Sequence, residues 1–159
     1  MGDDRYRMHR VRAGEERVLT TLARGNARFG DGSGGAGDWQ PPLGGDEAAR
    51  FVADPRTVLI VALDARSNTI AGFVYGCVLY RRHTKLEHLC VYELGVDIDH
   101  RRTDVGRRLM EAIAGEARQM GITRGFVITA ESDTAARRTF EGFGAVRSPE
   151  TDILYGLSF

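Results

Sequence analysis

The segment "DIDHRRTDVGRRLM", Asp97 to Met110, sets Arg101, Arg102, Arg107 and Arg108 around a turn that leads into a helix pattern. A tight turn ending at a helix N-terminus presents unpaired N–H groups, and the helix dipole favours negative charge there. Gly106 lets the backbone come close to a bound group. These residue types suit an anion, phosphate above all, although they fit a solvated basic helix start equally well. The spacing is neither a Walker loop nor a GxGxxG dinucleotide fingerprint. His83, His88 and Cys90 lie near one another without CxxC or HExxH spacing, and on a strand His88 and Cys90 share a face as packing residues do. No metal site is expected.

The turn must be held by the elements around it. Alternation from Tyr6 to Val11 predicts a first strand, and Gly14 opens a helix, "EERVLTTLARGNARF", with Val18, Leu19, Leu22 and Phe29 at helical spacing. "GDGSGGAGDWQPPLGG" is a Gly- and Pro-rich surface loop of a length that is usually functional or disordered. A short helix, "DEAARFVAD", follows. "TVLIVALD" and "TIAGFVYGCVLY" form an antiparallel hairpin through "ARSN", and "RRHTK" connects them to the longest strand, "LEHLCVYELGVDI". After the turn, a helix from Asp104 to Met120 carries Val105, Leu109, Ile113 and Ala117 as one apolar stripe, ended by Gly121. "RGFVITA" reads as a buried strand and "SDTAARRTFEGFG" as a helix capped by Ser132 or Asp133. Two short strands around "SPET" complete the order β-α-α-β-β-β-α-β-α-β-β.

At 159 residues the chain is the size of one domain, 1–159, able to bury its own core. Its 22 basic and 22 acidic side chains balance, which gives no global attraction to nucleic acid or an anionic membrane. Cys77 and Cys90 lie in apolar strand patterns and read as buried thiols in a reducing compartment more readily than as a disulfide. No apolar run has the roughly 20 residues of a membrane span. The N-terminus lacks an apolar signal segment, and Tyr6 stands where myristoylation after Gly2 would need Ser or Thr. These features together predict a soluble cytoplasmic protein.

Three antiparallel strands, an anion turn, a helix, a strand and another helix resemble the GNAT superfamily of acyl-CoA N-acetyltransferases. "VDIDHRRTDVGRRLM" is similar to that family's Arg/Gln-x-x-Gly-x-Gly/Ala turn, and "TAARRTFEGFGA" to its Ala-x-x-x-Tyr-x-x-x-Gly-Phe helix end. The order of elements fits from Tyr6 to Phe159, and the motifs cover Tyr92 to Ala145. The resemblance implies an α+β fold: a mixed, mostly antiparallel twisted sheet with helices on both faces and two strands splayed to admit acetyl-CoA. It implies that Arg101, Arg102, Thr103, Asp104, Val105, Gly106 and Arg107 cradle the pyrophosphate. Leu94 and Val96 then offer backbone bonds to the pantetheine arm and thioester, and members often pair as homodimers. A narrower resemblance, carried by "LCVYELGVDIDHRR", "RFGD" and "ETDILYGLSF", is to type I aminoglycoside 3-N-acetyltransferases.

Two positions depart from the family pattern. Asp104 stands at the first turn glycine, where aspartate can cap the helix and the arginines are expected to outweigh its charge. Phe140 stands where the family has a tyrosine that protonates the departing thiolate. A CoA thiolate can leave without a dedicated acid, since a free thiol has a pKa near 8.5. Phe140 is then a packing wall for the pantetheine arm, and Tyr75, Tyr80, Tyr92 and Tyr155 remain candidate donors.

Amine acetylation needs a neutral amine, so a carboxylate on the long strand suits the chemistry. Glu93, matching the subgroup's aspartate, is the expected base, and the same group would also bind a cationic substrate. A polycationic acceptor calls for further acids. Asp31 and Asp38, with Asp46 and Glu47, lie in or beside the Gly-rich loop, and Glu150 and Asp152 in the tail. Trp39 walls the pocket or anchors the loop, and His100 contacts phosphate or shapes the turn. The expected activity is acetyl transfer from acetyl-CoA to an aminoglycoside 3-amino group. The alternatives are another small amine or peptide acceptor, or a CoA-binding sensor without catalysis.

Overall fold

The computed structural model describes residues 5–30, 41–82, 87–149 and 155–159. Five strands form one sheet in chain order: β1 (Tyr6–Arg10), β2 (Thr57–Asp64), β3 (Ile70–Leu79), β4 (His88–Val96) and β5 (Gly125–Val127). The first three neighbouring pairs are antiparallel and β4–β5 is parallel. The apolar, largely β-branched run "TVLIVALD" suits β2 to an interior place in the sheet. Val58, Ile60 and Ala62 feed one apolar cluster while Leu59 and Val61 feed the other, so the strand is buried on both faces.

The first cluster is covered by α4 (Val105–Gln119) and α5 (Thr134–Phe143), the second by α1 (Arg17–Arg24), α2 (Asn26–Phe29) and α3 (Gly45–Ala53). Val105, Leu109, Ile113 and Ala117 are all buried, as the 3.6-residue spacing predicts. Two β3 glycines let this stripe approach. A Cβ on Gly72 would sit 3.0 Å from Val105 and 3.1 Å from Leu109, and one on Gly76 would sit 2.8 Å from Ile113. Gly121 ends α4 at φ 77°, with Ile122 N–H donating to the Ala117 carbonyl at 2.8 Å.

Four expectations change. The first helix breaks at Gly25, where a Cβ would lie 2.9 Å from the Phe29 ring; the missing side chain lets α2 fold back. β5 is shorter and more exposed than "RGFVITA" suggests, because among the described residues only β4 pairs with it. The described tail residues, 145–149 and 155–159, form no strand. Cys77 and Cys90 are free, half-buried thiols directly opposite each other across β3 and β4.

Candidate active site

The cleft originates in a change of phase along β4. Leu89 and Val91 are buried against the α4 side, and Leu94 and Val96 pack on that same side, three residues further on instead of two. The register jumps from Gly76↔Val91 to Tyr75↔Glu93, which leaves Tyr92 as the extra residue of a β-bulge. The β4–β5 ladder ends at Val91↔Val127, so β4 runs on from Tyr92 to Val96 with no strand on its β5 side among the described residues. A cleft of about 270 Å³ opens where the strands part. Tyr92, Glu93 and Leu94 line one side, Val127, Ile128 and Thr129 another, Phe140 closes it from α5, and Phe29 and Gly30 from α2.

Glu93 meets no cation among the described residues, and the surrounding protein raises its carboxyl pKa by desolvation even though the side chain opens on to the cleft. A raised carboxylate pKa brings a base closer to neutral working conditions. Its cross-strand neighbour Tyr75 is pushed up to about 12, chiefly by desolvation, and meets Tyr92 edge-on with ring centroids 5.9 Å apart. Of the four candidate tyrosines, Tyr92 lines the cleft. Phe140 is buried in the first cluster and faces the cleft as an apolar wall.

The turn differs in detail from the picture of four convergent cations. Asp104 occupies the N-cap position of α4, but its side chain makes no capping bond. It accepts from Arg107 Nε at 2.7 Å and also from Nη2, which depresses its pKa, and Arg107 additionally pairs with Glu111. Arg107 is thus charge-compensated twice over. Arg108 donates to the Tyr6 carbonyl on β1 at 2.6 Å, and Arg101 reaches the carbonyls of Val96 and Gly30. Arg102 extends from the turn at φ 56°, a left-handed backbone that costs a non-glycine residue about 1–2 kcal/mol. Thr103 donates to the His100 carbonyl at 2.5 Å. Among the described residues no capping bond from Asp104 takes up the first amides of α4, which leaves them available to an anion. Val105 is buried, and Gly106 brings α4 close to α5: a Cβ there would lie 3.2 Å from Thr139.

His100 shapes the turn. Its Nδ1 lies 3.0 Å from the Tyr6 hydroxyl and 3.9 Å from Asp64, which Arg5 also binds. Asp31, Asp38, Trp39, Glu150 and Asp152 lie outside the described residues. Asp46 and Glu47 stand in the first turn of α3, away from the cleft lining. Sequence reasoning missed Asp97 and Arg28. Asp97 is nearly fully buried and takes a two-pronged bond from Arg28, with both contacts at 2.8 Å. An acid directly after an apolar strand was the only signal, because its partner is 69 residues away in sequence.

The sequence profile of the Acetyltransferase (GNAT) family matches residues 28–145. The chain belongs to that family. Its fold is shared with an aminoglycoside acetyltransferase from an uncultured soil metagenomic sample, solved with trehalose and with sisomicin. That protein is 18% identical with a TM-score of 0.83, over 98% of this chain and 99% of the other. A second soil metagenomic aminoglycoside acetyltransferase is 22% identical with a TM-score of 0.80, over 96% and 99%. The ribosomal-protein-alanine N-acetyltransferase of Brucella melitensis biovar Abortus 2308 is 16% identical with a TM-score of 0.68, over 95% and 99%. No curated protein sequence matches the chain significantly.

GNAT acetyltransferases use acetyl-CoA, and the free α4 amides beside the splayed strands fit its pyrophosphate and pantetheine arm. In this GNAT chain Asp104 both adds a negative charge there and occupies Arg107. Replacing Asp104 with glycine is expected to tighten acetyl-CoA binding about two- to fivefold at low salt, the scale of an exposed charge interaction. Calorimetric titration at low and high ionic strength checks this. Unchanged or weaker binding at low salt would show that Asp104 does not oppose the cofactor.

Proposed function

We propose that this GNAT acetyltransferase transfers acetyl from acetyl-CoA to an amine of a polycationic aminoglycoside, the 3-amino group favoured, with Glu93 as base. The observation that carries the reading is Glu93 itself: a carboxylate with no described counter-cation, raised pKa and a place at the mouth of the strand splay. Acetyl-CoA supplies the acyl group as a thioester whose thiolate leaves. Turn residues 101–107 hold its pyrophosphate, chiefly through α4 amides and Arg102, while the open edge of Leu94 and Val96 receives the pantetheine arm. Glu93 takes the proton that the acceptor nitrogen loses as it bonds to the acetyl carbon. Phe140 keeps the thioester region apolar, and Tyr92, which lines the cleft, donates to the departing sulfur. The negative charge of Glu93 also favours a cationic acceptor, with Asp31, Asp38, Glu150 and Asp152 as its further contacts. One domain, working in the cytoplasm, completes the reading; no described helix is long and apolar enough to cross a membrane.

The acceptor class is supported by the shared fold of the two soil aminoglycoside acetyltransferases, one of them solved with sisomicin. Thiol release from acetyl-CoA, followed with gentamicin, sisomicin, kanamycin, apramycin, spermidine and a lysine peptide, tests it. Turnover confined to gentamicin-like compounds is expected, and mass and NMR spectra of the product locate the acetyl group. Turnover only with spermidine or the peptide would overturn the aminoglycoside assignment.

A further inference from the structure

The acceptor side of the cleft is walled by α2, a single helical turn that is joined to β4 by packing and to the turn after β4 by charge. A Cβ on Gly95 would fall 2.9 Å from Phe29 Cβ and 3.3 Å from the Phe29 carbonyl oxygen, so the α2 backbone lies directly on β4 where its β5 side is open. Phe29 meets Phe73 edge-on, with centroids 5.4 Å apart, and lines the cleft. One residue earlier, Arg28 divides its guanidinium between two carboxylates. Nε donates to Asp97 Oδ2 and Nη2 to Asp97 Oδ1, both at 2.8 Å, and Nη2 also reaches Asp99 Oδ2 at 2.5 Å.

Those two acids begin the anion turn. Asp97 N–H bonds the Ala71 carbonyl on β3 at 2.9 Å, and its side chain accepts from Asp99 N–H at 2.9 Å. The return connection is made by Arg101, which donates to the Gly30 carbonyl at the end of α2 and to the Val96 carbonyl at 3.5 Å. An α2 cation therefore grips the turn, and a turn cation grips α2. The exposed pair with Asp99 adds little to stability, while the pair with nearly buried Asp97 also keeps that carboxylate compensated. Planar two-pronged geometry fixes orientation, which a single cation on a flexible stem does not.

We infer that Arg28 is a positioning residue: by clamping Asp97 and Asp99 it sets the acceptor-side wall, Phe29 and Gly30, relative to β4 and the cofactor turn. This rests on the proposed reading in taking the α2 side as the acceptor side. Arg28 is not among the residues that line the cleft; it acts through the wall it holds.

The test pairs turnover with hydrogen exchange. Arg28→Ala is expected to raise the KM for the acceptor about tenfold, while kcat and the KM for acetyl-CoA stay within about twofold, since small misplacements of a wall cost binding geometry steeply. Arg28→Lys, keeping the charge but losing the fork, should recover only part of that loss. Without any acceptor, Arg28→Ala should speed exchange at residues 26–30, whose Arg28 and Gly30 amides bond Gly25 and Asn26, and leave α4 unchanged. Equal rises in both KM values, full rescue by lysine, or faster exchange across α4 as well would reduce Arg28 to general stability and overturn the inference. Unchanged exchange at 26–30 would also overturn it. If the unaltered protein acetylates none of the amines, the acceptor reading falls while the exchange result still decides the clamp.

Discussion

Glu93→Gln is expected to lower kcat for acetyl transfer by about 10²- to 10⁴-fold, the range typical of a removed general base, with little change in acetyl-CoA affinity. The wild-type rate should rise with pH along a limb set by Glu93, displaced above the ordinary glutamate value because desolvation disfavours its charged form. The variant should lose that limb and keep only the limb of the acceptor amine. Stability should move the other way. Between the ordinary and the raised pKa the folded chain binds more protons than the unfolded chain, so ionising Glu93 costs stability as pH rises through that window. Glutamine carries no such cost, and the variant should unfold in urea no earlier than wild type above the window. A variant that retains kcat while its acceptor KM rises would assign Glu93 to substrate binding alone.

Leu109→Ala should lower folding stability by about 2–5 kcal/mol, the cost of deleting a leucine side chain from a core that cannot fully close over the gap. Leu109 has no exposed surface and sits over Gly72, so the neighbours that would have to collapse inward are backbone as well as side chain. Urea denaturation followed by circular dichroism reads the loss. A decrease under about 1 kcal/mol would mean that α4 can slide into the vacated space.

The elements with a strong period could be read directly from the sequence. β2 matches its continuous apolar run, β3 its alternating one, and α4 its stripe and its terminal glycine. Asp133 caps α5 through Ala136 N–H at 2.9 Å, as its position suggests. The GNAT family assignment likewise followed from the turn and the α5 motif. The helix break at Gly25 was hidden because a glycine inside an apolar period is locally ambiguous until Phe29 folds back on it. Which arginines face the anion turn was hidden too. Arg101 and Arg108 have the same local sequence character, and only three-dimensional proximity to Gly30 and to Tyr6 separates them, whereas the pairs of Arg107 with Asp104 and Glu111 follow from helical spacing. Arg28 and Asp97 could not be paired from residues so far apart. The bulge was legible in principle, because the apolar positions Leu89 and Val91 are followed by Leu94 and Val96, out of step by one.

That single step makes β4 more sensitive to its length than to its composition. A substitution at Cys90 changes one side chain. Deleting one residue between Leu89 and Tyr92 would restore simple alternation and leave no residue to bulge. Leu94 and Val96 would stay on the α4 side, now in simple phase with Leu89, but β4 would lose the irregularity that sets Tyr92 and Glu93 at the mouth of the cleft. Sequence variants of this enzyme should therefore tolerate exchanges along this stretch far better than insertions or deletions within it.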